Sequence, residues 1–177
     1  MRSINKVKKN KVDKNGNKQG YWEHYWRNGK LQSKGSYEND DEVGYWEYYY
    51  ESGVLESEGL LSYGFYDGIW NYYDEDGNLS IEARWNYGEI ISKSPYKDGL
   101  KDGVWIEYWS NNGVKITGSY VENKKEGIWE EYWFNGNLKN IGSYEGGKKH
   151  GEWESFNKDG DLKSEKLYNN GKLIKNV

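Results

Sequence analysis

His24 and His150 are the only imidazoles in the chain, and imidazole is the usual proton carrier near neutral pH. One falls within a strand-like run and the other at a turn, so the pattern does not bring them together. No His-x-x-x-His, Gly-x-Ser-x-Gly or dinucleotide-type glycine motif occurs. Gly142 to Lys149 (GSYEGGKK) approaches a phosphate loop. It lacks the hydroxyl that would reach Mg²⁺, and no helix pattern follows to offer its N-terminus. Glu130 and Glu131 are adjacent, so on a strand they point to opposite faces and cannot share a substrate. With no cysteine there is no thiolate metal site and no disulfide framework. No catalytic residue, metal site or cofactor is expected, and the chain reads as a non-enzyme.

The residues that recur are aromatic. Counting from the Trp of each Gly-x-Trp as position zero, the zeros are Trp22, Trp46, Trp70, Trp105, Trp129 and Trp153, at gaps of 24, 24, 35, 24 and 24. Position +3 holds Tyr25, Tyr49, Tyr73, Tyr108, Tyr132 and Phe156. Position +9 is Leu or Val throughout, and +13 is Gly35, Gly59, Ala83, Gly118, Gly142 and Lys166. A fixed period in this range marks a stacked repeat protein. Each copy reads as two strands. The first is aromatic, as in Tyr45 to Tyr50, and ends in Asn-Gly, Asp-Gly or a similar pair that suits a two-residue hairpin turn. A second strand follows, then a looser polar turn to the next copy.

If +6 and +7 form the turn, zero faces +13 and +4 faces +9, so each Trp lies opposite a Gly and this face is the core. The other face carries mostly Lys, Glu, Gln and Ser. Strict alternation nevertheless puts the +3 ring there, beside position −1, where Tyr21 and Tyr45 stand. This aromatic stripe, Tyr21, Tyr25, Tyr45, Tyr49, Tyr73, Tyr108, Tyr132 and Phe156, is the candidate partner-binding surface. A groove for a partner and a second small core covered by other chain are both open readings.

The division along the chain follows from the same count. Residues 1–19, with Arg2 and six lysines against Asp13, read as a basic tail or capping strand, with an edge strand near Val7–Val12. Residues 20–85 hold repeats one to three and 103–177 repeats four to six. Residues 86–102 are an insert, read as one additional strand over Ile90–Ser94, bulged or at an edge because Pro95 cannot donate to a ladder.

Composition sets the limits. The net charge is −4, and 10 Trp, 18 Tyr and 3 Phe replace an aliphatic core, which favours a folded chain over a disordered one. From Gly20 to Asp102 there are 17 acids against 7 bases, which excludes a nucleic-acid groove along the array. No apolar run nears the ~18 residues of a membrane span, and the N-terminus lacks the apolar stretch of a leader. A cytoplasmic location is therefore expected, or an exported one if a leader has been removed.

The motif Gly-x-Trp-x-x-Tyr-x-x-Asn-Gly-x-Leu-x-x-x-Gly-x-Tyr-x-x-x-Lys-Lys-x-Gly, nearly unblemished from Gly127 to Gly151, resembles the MORN repeat in its bacterial variant form. The resemblance covers about residues 20–174. It implies an all-β fold, an elongated single-layer antiparallel sheet of stacked 24-residue β-hairpin repeats. Similar repeats occur in bacterial proteins classed as antitoxins of toxin–antitoxin systems, so the expected partner is a protein, with a cognate toxin as one form of it. The resemblance also implies dimerisation or contact with membrane lipids. Acids at 40–42 replace the Lys-Lys pair found at 124–125 and 148–149, which weakens the lipid expectation in the first half. Exposed terminal edges that invite pairing add a homodimer to the expected partners. Contact with envelope carbohydrate or a membrane surface ranks below a protein partner.

Overall fold

The computed structural model describes residues 9–176, so the part of the tail before Lys9 lies outside the described residues. Among the described residues there is no helix. Strands follow one another in an open antiparallel sheet whose order is the chain order, with one short strand off the path. The chain packs as two compact units, the first comprising residues up to 79 and 84–88, the second residues 80–83 and 89 onward.

The first unit contains β1 (Lys11–Val12), β2 (Lys18–Tyr25), β3 (Leu31–Glu38), β4 (Asp41–Tyr49), β5 (Leu55–Ser62), β6 (Phe65–Tyr73) and half of β7 (Leu79–Asn86). Its core is the Trp face. Trp46 and Trp70 are fully buried with Tyr37 and Leu61, and Trp22, Tyr48, Tyr72 and Trp85 pack around them. The β4–β5 register pairs Trp46 with Gly59, as the spacing predicts.

The turn within each repeat differs from the expected two-residue type. Trp26 N–H donates to the Lys30 carbonyl at 2.8 Å and Gly29 N–H to the Trp26 carbonyl at 3.0 Å, which leaves a three-residue loop. Gly29 sits at φ 83° while Asn28 keeps a negative φ, so the loop is a type I turn followed by a left-handed residue. Consequently Tyr25, not Trp26, pairs with Leu31, and the register regains its expected sum only at His24 with Ser33, after one extra residue, Gln32. The +4 ring is thereby taken out of the ladder. Its N–H or O–H instead bonds the next repeat, as Trp26 does to the Tyr49 carbonyl at 3.0 Å and Tyr50 to that of Tyr73 at 2.7 Å.

The turns between repeats, read as loose, are the tight ones. Glu38 pairs with Asp41 across Asn39 (φ 52°) and Asp40 (φ 72°), the two positive angles of a type I′ turn. That geometry matches the right-handed twist of the strands it joins.

The second unit holds β8 (Glu89–Lys97), β9 (Leu100–Lys101), β10 (Gly103–Tyr108), β11 (Val114–Val121), β12 (Lys124–Tyr132), β13 (Leu138–Glu145), β14 (Lys148–Phe156), β15 (Leu162–Asn169) and β16 (Lys172–Asn176). Gly88 to Trp105 repeats the spacing of Gly29 to Trp46, with Ile90 for Leu31, Ser94 for Gly35 and Tyr96 for Tyr37. The insert is thus an additional second-type strand. It runs through Pro95 to Lys97; β10 pairs with it at Ser92 and Lys93, and β9 pairs with it at Tyr96 and Lys97. The fourth repeat keeps the three-residue loop because Asn112 (φ 61°) takes the left-handed position that glycine fills elsewhere.

Candidate binding surfaces

The first glycine of each Gly-x-Trp builds the bend that turns the indole inward. Gly127 and Gly151 adopt φ 66° and 71°, and on β14 the pairing with β13 jumps from Trp153 to His150, leaving two residues unpaired. Such a bulge bends the strand and frees a carbonyl on its neighbour. The indole N–H takes that carbonyl: Trp153 bonds Ser143 O at 3.0 Å, Trp129 bonds Ser119 O at 3.2 Å, and Trp46 bonds Ser36 O at 3.2 Å. The ring then covers the glycine of the preceding repeat, not that of its own hairpin. A Cβ on Gly142 would meet Trp153, and one on Gly118 would meet Trp129. Lys166 shows the rule from the other side. It pairs with Trp153 in one hairpin yet carries a full side chain, because no Trp stands eleven residues further on.

The stripe residues of the first unit lie on the opposite face. Tyr25 and Tyr45 are about half exposed (49% and 51%), and Tyr21, Tyr49 and Tyr73 are half-buried. Their hydroxyls meet carboxylates. Tyr25 donates to Glu23, Tyr49 to Glu47, and Tyr73 to Glu58 at 2.6 Å. Partial burial, then Glu58, pushes the Tyr45 and Tyr73 hydroxyls up to about 12. Lys34 bonds Glu47 at 2.6 Å, which raises its own pKa. Between these rings the apolar side chains of Leu60 and Ile69 stand exposed, with Leu60 directly opposite Tyr45 in the ladder.

In the second unit Tyr108, Tyr132 and Phe156 are half-buried, and Tyr132 donates to Glu130 at 2.9 Å. Val104 and Ile128 at position −1 are exposed.

On the Trp face lies a row that sequence reasoning did not assign, four residues before each Trp. It holds Lys18, Glu42 and Tyr66 in the first unit, and Lys101, Lys125 and Lys149 in the second. Lys18 lies over the Trp22 and Tyr37 rings at 5.3 and 4.5 Å. Glu42 accepts from the Tyr37 and Tyr48 hydroxyls at 3.2 Å each, and Tyr66 packs edge-on against Trp70 at 4.4 Å. The signal was the second residue of the Lys-Lys pair, which the pattern assigned to a solvated turn.

His24 shares this face. It stacks on Trp22 at 5.8 Å, and its Nε2 lies 3.4 Å from the Tyr37 hydroxyl. Burial, and secondarily the Lys18 charge, lower its pKa below the ordinary 6.5, against a weaker opposite pull from Glu42. A histidine held neutral in the fold contributes stability that is complete above pH 6.5 and is lost as pH falls below that value. Urea midpoints from pH 8 to 5 are expected to show this decline, and His24→Gln should flatten it.

The model of the MORN repeat variant family matches residues 18–39, 42–61, 66–87, 125–145 and 149–175. The unmatched 88–124 contain the additional strand and the fourth repeat. No curated protein matches the chain. Among solved structures it is similar to a mutant of S. aureus TarM in complex with fondaparinux, alpha-GlcNAc-glycerol and UDP. The identity is 19%, with 62% of this chain and 20% of that chain covered, and a TM-score of 0.31. A second is the GtfA/B complex bound to UDP and GlcNAc, at 16% identity, 63% and 22% coverage and a TM-score of 0.33. The chain spans about a fifth of the length of these structures. With five matched segments that together take in more than half of its residues, the chain belongs to the MORN repeat variant family.

Proposed function

We propose that this chain is a non-enzymatic repeat scaffold that holds a protein partner against the face opposite its tryptophans. The observation that supports this is the patch around Tyr45 in the first unit. Tyr45, Leu60 and Ile69 are 51%, 45% and 46% exposed on one face, among Glu47, Glu58 and Lys34. Apolar and aromatic anchors inside a charged rim are the usual make-up of a protein interface hot spot. The tyrosine hydroxyls already tied to Glu47 and Glu58 hold neighbouring rings in place, which lowers the ordering cost of binding. A toxin neutralised by occlusion is one partner of this kind, and a cytoplasmic setting suits it.

The test uses the whole chain as bait in a lysate of its native organism, beside a Tyr45→Ser/Ile69→Ser variant. Both side chains are half exposed, so the variant should keep its melting temperature within about 2–4 °C of the parent, a shift worth roughly 1 kcal/mol. One stoichiometric protein should be retained by the parent. Its affinity for the purified variant should fall by at least about 30-fold, the equivalent of ~2 kcal/mol at a hot spot. Retention of envelope fragments or lipid instead, or equal retention by both baits, rejects the proposal.

A further inference from the structure

On the Trp face of the second unit, Lys101, Lys125 and Lys149 form a row of cations held by aromatic rings. Lys125 Nζ lies 3.8 Å from the ring centroid of Trp129 and 5.1 Å from that of Tyr144. Lys149 Nζ lies 3.9 Å from Trp153 and 5.2 Å from Tyr168, and Lys101 Nζ 5.7 Å from Tyr120. Two other lysines of this face are neutralised, Lys115 by Glu107 at 2.6 Å and Lys139 by Glu131 at 2.5 Å, while Lys166, paired with Trp153, adds a further cation beside Lys149. Among the described residues, none of the three row lysines has a carboxylate within salt-bridge distance. Burial lowers the pKa of Lys125 and of Lys149, and a neighbouring cation lowers each further. A depression of ≈ 230 Å³ opens between Lys125 and Lys149, walled by Ile116, Trp129, Tyr144 and Trp153. Two carboxylates line it: Glu131 is already bonded by Lys139 and Asn140, and Glu130 accepts from the Tyr132 hydroxyl.

The spacing of the row selects its ligand. Equivalent residues of β12 and β14 are separated by β13, two strand spacings or about 9.5 Å. A polyproline II helix repeats every three residues, about 9.3 Å, with the i, i+3 and i+6 side chains on one side. An extended β-strand would repeat its facing side chains at about 6.6 Å and lose phase within two repeats. We propose that the Lys101–Lys125–Lys149 row is a docking site for an acidic polyproline II segment of a protein, one carboxylate in every third position meeting one lysine. Aromatic-lined grooves are the usual seats of such helices. A glycan would need an open ring face, whereas Trp129 is 3% exposed and covered by Lys125. A bilayer would need protruding cations, whereas Lys125 and Lys149 are half-buried. This site is separate from the Tyr45 face and stands or falls independently of it.

The probe is a fluorescent peptide of four Glu-Pro-Pro triplets, titrated with the whole chain at low ionic strength and followed by anisotropy. Lys125→Gln and Lys149→Gln should each weaken binding by about tenfold or more, the loss of one charge-assisted bond. Lys172→Gln, on the exposed last strand, should change it less than about twofold. A peptide of Gln-Pro-Pro triplets should bind at least about tenfold more weakly. A peptide of the same composition with its glutamates in one block should also bind more weakly, since only the pitch differs. Melting curves of the two lysine variants show whether each is folded. Equal affinity for the blocked peptide, unchanged affinity in folded Lys125→Gln and Lys149→Gln, or tighter binding of polygalacturonate or phosphatidylserine vesicles overturns the proposal.

Discussion

Replacing Trp46 by alanine is expected to cost about 4 kcal/mol and to lower the melting temperature by roughly 10–15 °C. Trp46 has no exposed surface, meets Tyr37 edge-on at 5.0 Å and Tyr48 face-on at 5.8 Å, and covers Gly35. Among the described residues no second layer stands over this core, so the space left by the ring would be lined by aromatic edges that cannot collapse into it. The indole N–H also satisfies the Ser36 carbonyl, which the bulge removes from the ladder. Trp46→Phe separates the two contributions. It keeps most of the packing and loses the bond, at about 1 kcal/mol. Trp22 is only half-buried, so Trp22→Ala is the comparison within the same unit and should cost less. Urea titrations followed by circular dichroism measure all three. A loss under 1 kcal/mol for Trp46→Ala would mean that the row of tryptophans is not what holds this unit together.

The architecture was legible because its signal is a phase repeated six times, which survives errors in any one copy. The alternation of faces followed from it, and with it the placing of the tyrosine stripe away from the tryptophans. What spacing could not decide was which of two glycines each ring covers. Trp129 has a glycine on both sides, Gly142 paired with it in its own hairpin and Gly118 at the bulge with the strand before. The choice is made by the positive φ of Gly127, which bends the strand toward its predecessor. Turn geometry was misread for a related reason. Asn28-Gly29 and Asn39-Asp40 carry similar chemistry, but only the second pair takes two positive φ angles. The flanking ladders, one longer by a bulged residue, determine which turn forms. The lysine row was hidden because lysine reads as a solvated residue, although its long apolar stem can lie along a ring and hold the ammonium over it.

Gly118→Ala is the sharpest test of that arrangement. An added Cβ would lie 2.2 to 2.5 Å from three atoms of the Trp129 indole. The ring has nowhere to go, since Trp105 stacks on it at 5.7 Å, Tyr120 and Tyr144 close its edges, and Lys125 lies across its face. Overpacking of this kind costs about 1–3 kcal/mol, and an immobile ring places the expected loss at the upper end, near 3 kcal/mol. In a chain of this size that is a fall of about 6–12 °C in melting temperature. The cause can be isolated with a double-mutant cycle. Once Trp129→Ala has removed the ring, alanine at 118 meets open space, and by restricting the unfolded chain it should be neutral or stabilising by up to about 1 kcal/mol. A coupling energy of roughly 3 kcal/mol or more between the two positions is therefore expected. Additive losses would instead mean that glycine is required at 118 by the backbone alone, and that the indole of the following repeat does not rest on it.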